Sequence, residues 1–176
     1  MGRRIEVAAY DPVWPVQYDA EAGRLKSALG NCCIAIHHIG STAVPGLKAK
    51  PTIDILGIVT AFEELERLDS QLMDLGYEPR GENGIPGRRY YVKREGDHHL
   101  FHFHTYEPGH PNIANHLIFR DYLREHPDEA NAYQELKVEL VARFRDDPAR
   151  YTLGKAEFIQ GILDHAGSWR EENSLD

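Results

Sequence analysis

The stretch from Cys33 to Val59 constrains this chain most. Cys33 to Ile39 is apolar and β-branched enough for a buried strand, and Gly40-Ser41-Thr42 follows at once. Pro45-Gly46 then marks a loop, and Ile53 to Val59 is a nearly continuous apolar run. A run of that kind belongs in a sheet covered on both faces. Within the unit, Gly40 lets the backbone approach a ligand closely. Ser41 is placed to cap a turn whose N–H groups face a phosphate. Lys48 and Lys50 offer point charges to phosphate oxygens. Asp54, set among apolar neighbours at the start of the second strand, is a lone carboxylate suited to a divalent cation. Each piece also has a plainer reading: an ordinary turn, a carboxylate paired with Lys50, and lysines facing solvent. Their combination within one strand-loop-strand unit favours a site.

The rest of the chain frames this unit. Ile5 to Ala9 reads as a short strand. Asp11-Pro12 to Pro15 leads into a helix with an apolar face of Leu25, Ala28 and Leu29, stopped at Gly30. Thr60 and Glu63 fit a capping box, predicting one helix through Leu65, Leu68, Leu72 and Leu75 to Gly76. Gly81 to Gly87 reads as a mobile loop. Arg88 to Lys93 and Leu100 to Tyr106 alternate as strands of a hairpin turned at Gly96-Asp97. From Asn112 onward the period is helical, through Tyr133, Leu136, Leu140, Val141 and Phe144, then Phe158, Ile159, Ile162 and Leu163, with Pro127 and Pro148 in first turns. This order predicts an α/β (α+β) fold: a sheet domain over residues 1–110, C-terminal helices over 111–168 packed on the same core, and a frayed polar tail over 169–176.

The chain carries 28 acidic against 20 basic residues, a net charge of -8. That balance argues against extended nucleic acid, which needs a basic surface, but leaves room for a local basic pocket. No run approaches the roughly 18 apolar residues of a membrane span. The basic start leads into Glu6, Tyr10 and Asp11 instead of an apolar signal region. Cys32 and Cys33 are adjacent, and strand neighbours point to opposite faces, so free thiols and a cytoplasmic location are expected. No heptads or surplus apolar stripe define an oligomeric state.

Six of the ten histidines lie between His98 and His116. His102 and His104 alternate on a strand, share a face, and are extended by Tyr106. Beside the Asp54 strand they would form a compact site for a transition metal or a phosphate. The position for a third alternating histidine is Tyr106, so a histidine-triad hydrolase is rejected. The plainer reading has these histidines bonding neighbours on a half-exposed sheet, with His98 and His99 solvated in a turn. Arg88 and Arg89 open the preceding strand, one of them directed toward the same cavity. Arg120 and Arg124 share a helix face; Arg120 either forks onto a phosphate or pairs with Asp121 or Glu125. Lys137 and Lys155 interrupt apolar helical faces, snorkelling past the core or reaching toward a nucleotide. Trp14, Tyr122, Tyr133 and Tyr151 read as packing residues.

The run His38 to Asp54 resembles the signature of the GrpB-like family, a branch of the nucleotidyltransferase superfamily. The resemblance continues at Asp11-Pro12-Val13-Trp14-Pro15, Leu75-Gly76-Tyr77 and Phe119-Arg120-Asp121-Tyr122-Leu123-Arg124. It also covers Tyr133 to Lys137, Tyr151-Thr152, and Lys155 to Ile159, and so spans about Tyr10 to Ala166 in order. It implies a nucleotidyltransferase-type core with a mixed β-sheet. Active nucleotidyltransferases similarly open with Gly-Ser and carry two carboxylates on alternating strand positions, which hold two metal ions across a triphosphate, with a third from a later strand. Here the same-face neighbours of Asp54 are Thr52 and Leu56, so the acidic pair is incomplete. The implied activity modifies a small acceptor with a nucleoside triphosphate and a divalent metal, Mg²⁺ or Mn²⁺, with Zn²⁺ as a further candidate. Asp54, His102 and His104 are the expected metal-binding and catalytic residues. Gly40, Ser41, Thr42, Lys48, Lys50 and Arg120 are expected to hold the nucleotide. The alternative is a non-catalytic nucleotide- or metabolite-binding module, and a third reading is a partner protein with a vestigial pocket.

Overall fold

A computed structural model describes residues 5–173, with side chains described through Trp169. The elements run α1 (Val13–Leu29), β1 (Cys33–Ile39), β2 (Ile53–Val59), α2 (Phe62–Glu66), α3 (Asp69–Asp74) and β3 (Tyr77–Pro79). They continue with β4 (Arg89–Glu95), β5 (His98–Tyr106), α4 (Pro111–Glu125), α5 (Pro127–Phe144) and α6 (Pro148–Asn173). Short 3₁₀ turns occupy Gly30–Cys32 and Ser41–Ala43. The five strands form one mixed sheet in the order β1-β2-β5-β4-β3. β2 and β5 pair in parallel, and every other neighbouring pair is antiparallel.

Period-two alternation divides the sheet into two faces. On one, Ile53, Ile55, Val59, Tyr91 and Phe103 pack against Trp14, Ala22, Leu25 and Leu29 of α1 and against Leu65 and Leu72 of α2 and α3. On the other, Ile39, Leu56 and Tyr106 meet Ile113 and Leu117 of α4. Tyr122, Leu123, Ala130, Tyr133, Ile162 and Ala166 hold α4, α5 and α6 together and enclose Val44 and Leu47 of the β1–β2 loop. The C-terminal helices thus press the glycine-serine segment onto the end of the sheet. The outer edge of β1 is covered by side chains: Tyr18 Oη donates to Ile36 O at 3.2 Å, and Arg120 Nη1 donates to His38 O at 3.1 Å. Such cover keeps an edge strand from pairing with another chain.

The β4–β5 hairpin turns at Gly96-Asp97 as expected, with Gly96 at φ 57° in the left-handed region a two-residue turn favours. Pro127 and Pro148 open the last two helices. Three expectations need correction, and one short strand was not foreseen. Residues 5–9 form no strand; Ala8 makes an isolated bridge to Ala49, and Ile5 N donates to Arg145 O. The helix expected over 60–76 is two short ones, and no Thr60–Glu63 box starts it. Phe62 N instead donates to Glu107 Oε1 at 2.8 Å, while the Thr60 hydroxyl bonds Glu64. The three-residue strand β3 carried too little pattern to be read in advance. Finally, α6 continues through Asn173, past the expected end of the helices at 168, with Trp169 packed on Tyr122 and His126. Residues 174–176 of the expected tail lie outside the described residues. Among the described residues no helix is long and apolar enough to cross a membrane.

Candidate functional site

The parallel register of β2 and β5 sets Asp54 beside His102 and Leu56 beside His104. Alternation then turns Asp54, His102 and His104 to the face covered by α4. His102 Nδ1 lies 3.3 Å and His104 Nε2 3.2 Å from the same oxygen, Asp54 Oδ1. One ligand atom from each residue lies within 4.8 Å of the others, so the trio is sized for a single cation. Burial pushes the Asp54 carboxyl up, but hydrogen bonds from His102 and His104 outweigh it and hold the group well below the usual carboxylate range. Burial lowers His102, against the attraction of Asp54.

A second layer orients the imidazoles. His99 Nδ1 lies 2.8 Å from His102 Nε2. Arg88, itself 5% exposed, donates to the carbonyls of Glu82 and Asn83, stacks over the Tyr90 ring at 4.5 Å, and places Nη1 3.3 Å from His104 Nδ1. A guanidinium only donates, so His104 Nδ1 accepts and its Nε2–H donates to Asp54. The ring of His116 on α4 lies 5.5 Å from that of His104, and burial pushes it down to about 4.

The Gly40–Ser41 turn closes the other side. Gly40 has φ 72°, and a Cβ there would fall 2.8 Å from Asp54 Oδ2. Lys137, 2% exposed on α5, reaches Ser41 Oγ at 3.0 Å, bonds the Lys48 carbonyl, and lies over the Tyr133 ring at 4.7 Å. Burial and then the nearby Lys155 ammonium bring Lys137 down to about 7. Burial also lowers Lys155, opposed by the attraction of Asp54.

The structure brings together Gly40, Ser41, Asp54, His102 and His104. Lys50 is near enough for its charge to act on His102. The other expected contacts lie elsewhere. The Thr42 hydroxyl is buried against His38 Nε2 at 2.8 Å. Lys48 is exposed, and its backbone carbonyl, not its ammonium, faces the site through Lys137. Arg120 pairs with Asp121 at 2.7 Å and ties α4 to β1, the plainer of its two readings. His99 belongs to β5 and bonds His102, not solvent in a turn. His116 joins the site from α4, and the only sequence feature that points to it is helical spacing with Ile113 and Leu117, which meet the same sheet face.

The mixed sheet and its flanking helices have a nucleotidyltransferase-like fold, shown by superposition. The chain superposes on a structure of the Cid1 poly(U) polymerase with a TM-score of 0.54 at 14% identity, over 78% of this chain and 45% of that one. Residues 4–165 match the model of the GrpB protein family, and the chain belongs to that family. The structure of conserved protein GrpB from Enterococcus faecalis superposes with a TM-score of 0.87 at 40% identity, over 92% of this chain and 96% of that one. The UPF0157 protein YqkA of Bacillus subtilis is 44% identical over 169 residues, which is 96% of this chain and 49% of YqkA. The chain therefore spans about half the length of that relative.

Proposed function

We propose that the protein binds a nucleoside triphosphate together with one divalent cation at this site and transfers its nucleotidyl or phosphoryl group to a small acceptor. The observation that carries the reading is the convergence of Asp54, His102 and His104 beside the Gly40–Ser41 turn, on a fold shared with a polymerase whose structure holds MgGTP.

A pair of Mg²⁺ ions does not fit these residues. It needs a second carboxylate on the Asp54 face, where Leu56 is fully buried and Thr52 donates to His99 O at 2.9 Å. One oxygen and two imidazole nitrogens suit a single borderline cation such as Zn²⁺ or Mn²⁺, with positions left open. Such a cation supplies Lewis-acid polarisation of a phosphoryl oxygen. The chain's own residues do the rest: Lys50 and Lys155 bring positive charge to the cluster, and the Gly40 backbone allows close approach.

The solitary carboxylate favours a second reading, a module that binds a nucleotide or metabolite without turning it over. Thermal unfolding with each nucleoside triphosphate, with and without Mg²⁺, Mn²⁺ and Zn²⁺, separates the two, because ligands of the folded state raise its stability. A metal-dependent nucleotide shift with product formed supports transfer. A shift without product supports the module. No shift with any nucleotide or metal removes both.

A further inference from the structure

We infer that Ser41 is a nucleophile activated by Lys137, and that the first acceptor of the transferred group is the Ser41 hydroxyl of the protein itself. This rests on the nucleotide reading above and deepens it. The surroundings of the Lys137 amine carry it. It meets a hydroxyl, Ser41 Oγ at 3.0 Å; a carbonyl, that of Lys48; and the face of the Tyr133 ring. None of these carries a charge. A neutral amine matches them fully: one lone pair accepts the Ser41 hydroxyl, one N–H donates to the Lys48 carbonyl, and the other faces the ring. A 2% exposed ammonium would be held there by neutral dipoles alone, with the Lys155 cation nearby. Burial accordingly brings this amine down to about 7, into the range of a working general base.

The position of Ser41 suits attack. It follows β1 directly on the left-handed Gly40, and that turn lies against the Asp54 carboxylate where the reading places cation and triphosphate. An activated serine needs a base within hydrogen-bond reach, and Lys137 supplies it.

Ser41 Oγ attacks a phosphorus of the triphosphate, and the Oγ–P bond forms. The bond from that phosphorus to its bridging oxygen breaks, and its electron pair leaves on pyrophosphate or on the nucleoside diphosphate. The serine proton passes to Lys137 Nζ. Attack at the α-phosphorus leaves a nucleotidyl-serine; attack at the γ-phosphorus leaves a phosphoserine.

The test is to incubate the full chain with ATP and Mn²⁺ or Zn²⁺ without any acceptor, then record intact mass and map the modified peptide. A nucleotidyl or phosphoryl mass on Ser41 is expected, and the mass gained tells α from γ attack. Ser41→Ala loses it. Lys137→Arg, which keeps the positive charge but cannot act as a base, slows labelling about 100-fold or more. Lys137→Gln, neutral and able to donate to the Lys48 carbonyl, does the same should arginine disturb packing. A nucleotide-dependent thermal shift is recorded alongside for each protein. A shift in the parent protein with no label, or with the label elsewhere, overturns the inference and leaves the nucleotide reading standing. Undiminished Ser41 labelling in both Lys137 variants also overturns it. No shift and no label overturns both.

Discussion

Gly40 and Asp54 are in direct opposition: a single added methyl on the glycine would stand 2.8 Å from Oδ2 of the aspartate. The turn carrying Ser41 can lie this close to the carboxylate only because residue 40 has no Cβ, and φ 72° sets the same requirement through the backbone.

Gly40→Ala therefore meets strain and collision together. Denaturant unfolding should show a loss of about 1–3 kcal/mol. Any metal-dependent rise in melting temperature should shrink as well, because relieving the clash moves Asp54. An alanine variant with unchanged stability and metal response would refute this account of the turn.

Asp54→Asn removes the only carboxylate of the Asp54–His102–His104 trio while keeping its size. Calorimetric titration should show Mn²⁺ or Zn²⁺ binding weakened at least about 10-fold. An unaltered metal affinity would take Asp54 out of the site.

Arg88 opposes metal binding at His104. Its guanidinium donates to Nδ1 and so keeps the ring proton on Nε2, the atom that faces Asp54. A histidine bound to metal through Nε2 carries its proton on Nδ1 and needs an acceptor there. Arg88→Gln offers an amide oxygen in place of a donor, so Zn²⁺ affinity should rise several-fold. A lower or equal affinity, with the fold intact by circular dichroism, would contradict the assigned tautomer.

His38 is 7% exposed and bonded to Thr42, and burial, acting first among its influences, pushes it down to about 4 from 6.5. Between those two values the unfolded chain binds a proton that the folded chain does not. Stability contributed by His38 is therefore complete above pH 6.5 and is lost as pH falls toward 4, by at most about 1.4 kcal/mol per pH unit. His38→Gln should flatten this part of the stability–pH curve; an equally steep variant would show that other groups govern acid unfolding.

Glu21 on α1 is wholly buried and is bonded by Lys93 Nζ at 2.7 Å and Arg24 Nη1 at 3.0 Å, on the sheet face away from the site. Glu21→Gln leaves the largely buried Lys93 ammonium without its counter-charge. The expected cost is about 3 kcal/mol in urea unfolding, with nucleotide and metal responses unchanged. A cost below about 1 kcal/mol would mean that water takes over the role of the carboxylate.

The sequence by itself determined what is local. Alternation put His102 and His104 on one face, glycine and proline placed the turns, and first-turn prolines opened α5 and α6, because these features depend on residues within a few positions of one another. It also showed that Lys137 breaks an apolar helical face. Tertiary structure alone decided where that lysine ends, since Ser41 lies 96 residues earlier in the chain. Likewise Glu107 caps a helix that begins 45 residues before it, and no capping pattern spans that distance. The site itself has the same origin. Its aspartate and its histidines come from strands that pair in parallel across two intervening helices and two strands, and only the closure of that long crossover sets them around one oxygen.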